Sequence, residues 1–507
     1  MRARVTVHRD FRIGQIDDRV YGAFLEHLGR AVYTGIYEPG HPTADERGFR
    51  RDVIELVREL NVPVIRYPGG NFVSAYNWED GIGPKESRPV RLDYAWRTKE
   101  TNEVGIDEFA AWCESAGTEL MLAVNLGSRD LDAARGLLEY CNHPGGSHWS
   151  DLRIKNGRLN PYNVRLWCLG NEMDGPWQVG HKTAYEYGRI ANETAKAMKA
   201  FDPTLQLVAC GSSHSFMPSY PQWEADVLDQ CYDNVDYLSL HMYFENYEDD
   251  YLDFLAKPVI LDRYIQTVSG VIDYVKGKKR SKKDIHISFD EWNVWYHSRR
   301  QDHDNFKNWD WPVAPRLTEE AYNFEDVLVV GCILNTFIRR ADRVRIACIA
   351  QLVNAIAPIT TEPGGRVFRH TTYYPYLFAS RYGRGESLAV AVDAPRYDAK
   401  AADDVPYVDV AAVHDSARGS ITLFVINKHP DEETELTVDL AGFPSVRLIE
   451  HILIHHPDLK AVNSADAPDV VKPQQQDGSV VEEGRLLCRL RPRSYNLIRL
   501  SVGHLVH

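Results

Sequence analysis

The chain has 507 residues, too many for a single core, so we expect one large domain and one smaller one. Its composition, 44% hydrophobic and 26% charged, is that of an ordinary globular protein. Its formal net charge of −14 disfavours nucleic acid and anionic membrane as partners and suits a neutral substrate. No run of about 18 apolar residues predicts a membrane span.

Within the first 14 residues, residues 4–14 alternate apolar and polar side chains, as a lone edge strand does. No helix follows them directly, so we assign this strand to a second domain. The same segment lacks the apolar run of a signal peptide. The eight cysteines have no CxxC spacing and are typical of reduced core residues, so we expect a cytoplasmic protein.

From residue 15 to residue 380 a short apolar run, a loop and an amphipathic helix recur. The apolar runs are Val20–Phe24, Val62–Tyr67, Glu119–Leu126, Val164–Leu169, Leu205–Cys210, Val235–Leu240, Ile285–Phe289 and Val344–Leu352. This alternation of strands and helices predicts an α/β fold, the (β/α)₈ TIM barrel. A doubly wound open sheet is the alternative, but no glycine-rich phosphate loop follows the first strand.

After residue 380 the helical period disappears. Residues 420–429, 435–443 and 485–502 alternate apolar and polar side chains, as half-buried antiparallel strands do. We therefore predict a catalytic barrel over residues 15–380. Residues 381–507, completed by the amino-terminal strand 1–14, are predicted to form an all-β sandwich or jelly roll.

Two glutamates stand at the ends of predicted barrel strands in similar contexts. Glu172 follows the run Val164–Leu169, and Glu291 follows Ile285–Phe289 and precedes aromatic residues. A strand end whose Asn171 and Glu172 cap a following helix is the alternative interpretation of the first stretch taken alone. A glycoside hydrolase needs two such groups, because one protonates the leaving oxygen while the other attacks or activates water.

Polar side chains also follow the other predicted strands, which a barrel would bring to one face. They include Glu26, His27, Asn71, Asn125, Ser212, His214, His241, Tyr243, Gln351 and Asn354. A metal-dependent barrel of the amidohydrolase type is a further alternative, but it needs an HxH pair on the first strand, where this chain has one histidine. We therefore expect no metal and no cofactor, and we interpret the histidines as hydrogen-bonded supports.

Six segments carry recognisable motifs. They are EHLGRAVYTGIYEP (26–39), RYPGGNFVSAYNWEDGIGP (66–84), WCLGNEMDGPWQ (167–178), SLHMYF (239–244), DEWNVWY (290–296) and APRLTEEAYNFEDVLVVG (314–331). In order and spacing they closely resemble the α-L-arabinofuranosidases of glycoside hydrolase family 51, in clan A. The resemblance extends along essentially the whole chain, and it departs at Tyr495, where many relatives have tryptophan.

The resemblance implies a (β/α)₈ barrel with a C-terminal jelly roll, no metal, and retention of anomeric configuration. It implies that Glu172 is the general acid/base and Glu291 the nucleophile. The residues implied to hold the furanose ring or to form the pocket walls are Glu26, Asn71, Trp96, Asn171, Tyr243, Trp295 and Gln351. Because relatives are commonly hexameric, it also implies a homo-oligomer.

The sequence thus predicts an intracellular, retaining, exo-acting α-L-arabinofuranosidase. It would release terminal non-reducing arabinofuranose from arabino- and arabinoxylo-oligosaccharides through a covalent glycosyl-enzyme. The same machinery with β-xylosidase or endoglucanase specificity is the enzymatic alternative, and an inert sugar-binding barrel is the non-enzymatic one. Residues 297–318, expected to lack regular structure, would cover the pocket and restrict cleavage to chain ends.

Overall fold

The computed structural model describes residues 1–503, and within them eight parallel strands close into a barrel in chain order. These strands, numbered one to eight, are Gly22–Phe24, Val64–Tyr67, Glu119–Val124, Leu166–Leu169, Gln206–Cys210, Tyr237–Phe244, His286–Val294 and Val344–Ala350. Each overlaps one of the predicted apolar runs, so the predicted barrel is confirmed. No helix in the described residues is both long and apolar enough to span a membrane.

The sequences of the barrel strands are continuous apolar runs, because both faces of each strand are buried. On strand four, Cys168 points into the apolar cluster inside the barrel, and Trp167 packs in the larger cluster between strands and helices. All eight cysteines are free and buried, as predicted.

Eleven α-helices lie within the described residues. They are Arg51–Glu59, Ile106–Ala116, Leu131–Asn142, His148–Lys155, Ala184–Phe201, Gln222–Cys231, Tyr251–Ala256, Pro258–Lys279, Arg299–Asn308, Phe324–Arg339 and Tyr373–Tyr382. The helix Phe324–Arg339 is buried from Phe324 to Ile338, because it packs between the barrel and the second domain. Asn323 begins it by accepting a hydrogen bond from the backbone N–H of Asp326.

The second domain is a ten-stranded sheet with its own apolar core. From one edge to the other its strands are Gln474–Gln475, Val446–Ile454, Ser494–Val502, Ser420–Asn427, Val408–Asp415, Glu386–Asp393, Arg2–Gln15, Thr434–Ala441, Arg485–Leu490 and Val480–Glu482. A separate sheet-rich C-terminal domain is therefore confirmed. The exact division of the chain at residues 14/15 and 380/381 stays a prediction.

The alternation of the amino-terminal segment suggested a lone edge strand. That expectation is wrong, because the strand Arg2–Gln15 lies inside the sheet. It pairs antiparallel with Glu386–Asp393 and parallel with Thr434–Ala441, so both of its edges are hydrogen-bonded. The buried side chains of Val5 and Val7 lie in the core of the second domain. Alternation reports that one face of a strand is buried, and it carries no information on how many neighbours the strand has.

The expectation that residues 297–318 lack regular structure is wrong, because Arg299–Asn308 is a helix. Its sequence is almost entirely polar and gives no helical apolar period. The helix is held instead by tertiary contacts. Phe306 packs against an apolar cluster that contains Leu28 and Leu317, and the carboxylate of Asp302 accepts a hydrogen bond from the backbone N–H of Thr318 at 3.1 Å.

Candidate active site

A cavity of about 680 Å³ opens where the barrel strands end. The predicted site residues that line it are Glu26, Asn71, Trp96, Glu172, Tyr243, Glu291, Trp295 and Gln351. Asn171 does not line it but lies directly behind the wall, 1% exposed and hydrogen-bonded to Arg66. Parallel strands that end together bring distant residues into contact: the backbone N–H of Glu26 donates to Gln351, 325 positions away.

The two glutamates of the predicted catalytic pair face each other across this cavity. A carboxylate oxygen of Glu172 and one of Glu291 lie within 4.8 Å, and both residues are less than 10% exposed. Glu172 follows strand four with a φ of 43°, a left-handed conformation that non-glycine residues adopt mainly at constrained functional positions. Glu291 lies in strand seven, beyond an irregularity in its pairing with strand six. Both groups can therefore contact one sugar carbon.

Glu291 is held by donors on both of its oxygens. Arg66, from strand two, donates to Oε1 at 2.8 Å and to the side-chain oxygen of Asn171 at 2.7 Å, while the Tyr243 hydroxyl donates to Oε2 at 2.8 Å. Burial raises the pKa of the Glu291 carboxyl, whereas His241, Arg66 and the Tyr243 hydrogen bond oppose that rise. These contacts favour an oriented anion at Glu291.

His241 lies between the acidic groups. Its Nδ1 is 2.8 Å from Glu172 Oε1 and 3.6 Å from Glu291 Oε2, and its Nε2 is 2.8 Å from Asp290 Oδ1. Burial alone would lower the pKa of His241, but Glu291, Asp290 and Glu172 together raise it to about 10. The ring is therefore an imidazolium at neutral pH and donates from both nitrogens.

Glu172, His241 and Glu291 also form the one group in the described residues whose atoms could surround a metal ion. The chemistry of this set does not fit such an ion. An imidazolium has no free lone pair to offer, and the guanidinium of Arg66 stands 2.8 Å from Glu291, where it would repel a dication. The absence of a metal requirement stays a prediction.

Glu26 forms the floor of the cavity together with Gln351. Its Oε1 accepts from the backbone N–H of Phe72 at 2.8 Å and from Trp96 Nε1 at 3.0 Å. Burial, reinforced by the charge of Glu291, raises the pKa of Glu26 to about 8. No lysine or arginine among residues 1–503 forms a salt bridge with it. Glu26 is therefore a neutral carboxylic acid below pH 8, able to donate to a sugar hydroxyl.

The walls of the cavity are aromatic. The Trp295 ring meets Tyr243 edge-on at a centroid distance of 5.2 Å, and the guanidinium of Arg299 lies 3.9 Å above its centre. On the side of the acid, Trp177 donates from Nε1 to Glu172 Oε2 at 2.7 Å. Flat apolar faces and hydrogen-bonding groups at one site suit a sugar ring.

Comparison with known proteins identifies this arrangement. A family model described as "Alpha-L-arabinofuranosidase 1 domain" matches residues 56–254, and one described as "Alpha-L-arabinofuranosidase C-terminal domain" matches residues 290–494. The chain is 55% identical over 499 residues to the intracellular exo-α-(1→5)-L-arabinofuranosidase of Halalkalibacterium halodurans, covering 98% of this chain and 99% of that protein. It is 43% identical to a solved family 51 α-L-arabinofuranosidase from Bifidobacterium longum, with a TM-score of 0.95 over 98% and 99% of the two chains. The chain belongs to the α-L-arabinofuranosidases of glycoside hydrolase family 51.

Two further relatives fit this family. The enzyme named intracellular exo-α-(1→5)-L-arabinofuranosidase 1 from Bacillus subtilis is 55% identical over 99% of both chains. A solved α-L-arabinofuranosidase from Thermotoga maritima in complex with arabinose is 34% identical, with a TM-score of 0.87 over 98% and 99%. This arabinofuranosidase is thus a glycoside hydrolase of arabinose-containing substrates. Because the relatives at 55% identity are named intracellular, the predicted cytoplasmic location is confirmed.

Sequence reasoning missed several groups of this arabinofuranosidase that touch the two glutamates. It did not single out Arg66, Asp290 or Trp177, and it interpreted His241 only as a support. One signal was present for Arg66, because a charged residue inside the apolar run VIRY needs a buried partner. Asp290 gave a similar signal, because it is a charged residue that directly follows the apolar run Ile285–Phe289 and also needs a buried partner.

Besides His241, four of the predicted strand-end residues do not line the cavity, namely His27, Asn125, Ser212 and Asn354. Asn125 holds a loop by donating to the carbonyl of Tyr76 at 3.0 Å and accepting from the N–H of Gly127 at 3.0 Å. Asn354 donates to the carbonyl of Arg30 at 2.8 Å. Both satisfy backbone groups of loops at the barrel face, so position at a strand end does not by itself predict contact with substrate.

The protonation of Glu26 can be tested by comparing Glu26→Gln with Glu26→Ala. Since Glu26 is neutral below pH 8, glutamine should replace it well, and kcat/KM at pH 6 should stay within about tenfold of the parent enzyme. Alanine removes the hydrogen bonds altogether and should cost about 10²- to 10³-fold. Equal losses for both variants at pH 6 would show that Glu26 acts as an anion.

Arg66→Gln should move the acidic limb of the kcat/KM pH profile to higher pH by about one unit or more. This limb reports the ionisation of the Glu291 carboxyl in the free enzyme. Loss of the Arg66 guanidinium removes a charge that lowers the pKa of Glu291, so that pKa should rise. Arg66→Lys keeps the charge, so the limb should stay near its original position even though kcat falls. A limb that does not move in Arg66→Gln would contradict the electrostatic role.

Proposed function

We propose that this arabinofuranosidase is a retaining, exo-acting enzyme that releases terminal non-reducing arabinofuranose from arabino- and arabinoxylo-oligosaccharides. The observation that carries the proposal is the separation of Glu172 and Glu291, whose nearest oxygens lie within 4.8 Å. Retaining glycosidases hold their carboxyl groups about 5–5.5 Å apart, whereas inverting ones need about 6.5–9.5 Å to admit a water molecule. The site therefore suits double displacement.

In the first step a carboxylate oxygen of Glu291 attacks the anomeric carbon, and Glu172 gives its proton to the leaving oxygen. The bond to the leaving sugar breaks as the ester bond to Glu291 forms. Arg66 and Tyr243 hold the attacking carboxylate in one orientation, so little reorganisation is needed at the moment of attack.

In the second step Glu172 removes a proton from water, the water oxygen attacks the anomeric carbon, and the ester bond to Glu291 breaks. Two displacements return the original configuration. His241, 2.8 Å from Glu172, orients this carboxyl group by a hydrogen bond. Before the first step, the imidazolium and Arg66 balance the charges of Glu291 and Asp290. With protons on Glu172 and Glu26, the site is then neutral, which suits an uncharged sugar.

The residues at the base and wall of the cavity support exo action. Glu26 and Gln351 close its floor, while Arg299 and Phe306, from the segment 297–318, contribute to its wall. A single terminal sugar fits such a pocket, whereas an internal residue of a polymer would need an open groove. We take α-(1→5)-linked oligosaccharides as the first substrate to test, because two relatives at 55% identity are named for that linkage.

The deciding experiment follows hydrolysis of an α-L-arabinofuranosyl oligosaccharide by proton NMR. Retention predicts that the α anomer of arabinose appears first and the β anomer grows only by mutarotation. Early β anomer would contradict the retaining mechanism, and arabinobiose with arabinotriose as the first products from arabinopentaose would contradict exo action. A panel of nitrophenyl glycosides separates this specificity from the β-xylosidase and endoglucanase alternatives, and no turnover of any would favour the inert sugar-binding barrel.

The partners of the enzyme belong to the same proposal. The net charge of −14 supports a protein that binds neither nucleic acid nor membrane. By family resemblance we take it to be a homo-oligomer, a hexamer. Light scattering coupled to gel filtration measures that mass directly, and a monomer at micromolar concentration would contradict it.

A further inference from the structure

A second cavity, of about 470 Å³, lies between the barrel and the second domain, and we call it the junction cleft. It shares no lining residue with the active-site cavity. Its charged lining residues are Asp262, Arg339, Arg340, Arg396, Asp409 and Lys428. The cleft therefore has four cationic side chains and two acidic ones, a local excess of positive charge in a chain whose net charge is −14.

Lys428 is the least satisfied of these groups. It follows the strand Ser420–Asn427 and is only 2% exposed. Among residues 1–503 its ammonium makes no ion pair and no hydrogen bond, and it lies over the Tyr397 ring, 5.5 Å from the centroid. A buried ammonium without a counter-charge is costly, so a native partner is expected in the cleft that it lines.

Asp409 attracts the Lys428 ammonium but forms no ion pair with it, because other groups already hold its carboxylate. Arg339 donates to both oxygens, at 2.9 and 3.2 Å, and Asn335 donates to one of them at 2.7 Å. Burial lowers the pKa of the Lys428 ammonium, the charge of Asp409 opposes that fall, and the guanidinium groups of Arg339 and Arg396 add to it.

The arginines of the cleft retain unused donors. Arg340 binds Asp262 through Nε and Nη2 at 2.6 and 2.7 Å, which leaves Nη1 without a partner among the described residues. Arg396 pairs through Nε with Asp404, at 2.9 Å from the carbonyl oxygen and 2.6 Å from a carboxylate oxygen, and within residues 1–503 its two Nη groups make no hydrogen bond. These free N–H groups and the Lys428 ammonium line the same cavity.

We propose that the junction cleft binds a phosphate group, held by the ammonium of Lys428 and by the free guanidinium N–H groups of Arg340 and Arg396. A phosphate dianion has oxygens for donors from several directions and makes strong charge-assisted hydrogen bonds with arginine and lysine. Binding at this place joins barrel and sandwich side chains through one ligand. It therefore stabilises the contact between the domains and leaves the hydrolytic step unchanged.

Thermal unfolding of the full-length enzyme tests this, with low-millimolar inorganic phosphate added at constant ionic strength. Phosphate should raise Tm in a saturable manner, as any ligand specific for the folded state does. Lys428→Met should fold, because it removes an uncompensated buried charge, but it should bind phosphate about tenfold more weakly or worse. Lys472→Met, at an exposed position of the same domain, is the matched control and should keep the full response.

Arg396→Gln gives an independent second variant and should also weaken the phosphate response. Ribose 5-phosphate compared with inorganic phosphate distinguishes a phosphate ester from free phosphate as the ligand. Acetate in place of phosphate should give no saturable rise in Tm. Phosphate also stabilises proteins generally by exclusion from their surface, so an equal, unsaturated rise in the parent enzyme and in Lys428→Met would overturn the proposal.

Discussion

Replacement of Glu291 by alanine should abolish turnover, lowering kcat by about 10⁴-fold or more. The loss follows from the chemistry of the first step, because no other carboxylate can form the ester with the anomeric carbon. Glu172 lies within 4.8 Å but is needed as the proton donor, and Asp290 is fully buried and engaged by His241. The measurement is kcat for a nitrophenyl α-L-arabinofuranoside, with the fold checked by thermal unfolding.

Azide should partly restore the activity of Glu291→Ala, because the deleted side chain leaves room for a small anionic nucleophile. A single displacement by azide inverts the configuration, so NMR should identify the product as the β-L-arabinofuranosyl azide. Glu248→Ala, which removes an exposed carboxylate paired with Lys400, should keep normal turnover and show no response to azide. Rescue with the α product would contradict the nucleophilic role of Glu291.

Much of this fold could be predicted because its strands are buried on both faces. A strand such as Leu166–Leu169 reads as an unbroken apolar run, and eight such runs separated by helices leave few architectures. The catalytic pair was visible for a related reason, since an acidic group at the end of a buried strand demands an explanation. The resemblance to a family then supplied the remaining pocket residues, which hydrophobic periodicity alone could not select.

The contacts that tune the site could not be predicted, because they join segments far apart in the chain. Arg66 and Glu291 are separated by 225 positions, and His241 and Glu172 by 69. Sequence shows that each is polar and near a strand end, but not which partners share a hydrogen bond. The helix Arg299–Asn308 was missed for the same reason, as its support comes from residues outside it.

The protonation states depend on these tertiary contacts in turn. Glu26 and Glu291 are both glutamates near strand ends, yet one is surrounded by neutral donors and the other by cations. Burial raises the pKa of each carboxyl, and only Glu291 has Arg66 and His241 to oppose it. Two residues with the same sequence signal thus acquire different surroundings, since Glu26 has only neutral donors beside it whereas Glu291 has two cations.

Replacement of Glu172 by alanine should give losses that depend on the leaving group. Natural oligosaccharides leave as poorly stabilised alkoxides and need protonation, so their hydrolysis should fall by about 10²- to 10⁴-fold. A dinitrophenyl arabinofuranoside departs without help, and its first step should remain close to the normal rate. The second step lacks its base, so glycosyl-enzyme should accumulate, visible as a burst of dinitrophenol and a lowered KM.

Glu172→Gln is the matched control, because it keeps the size of the side chain and an acceptor for His241 but cannot donate the acidic proton. If proton transfer is the role of Glu172, both variants should show the same steep dependence on the leaving group. Azide should accelerate the second step in Glu172→Ala and yield the α azide, the retained product of two displacements. A uniform loss on every leaving group would instead mean that Glu172 supports the shape of the pocket, and the acid would have to be sought elsewhere.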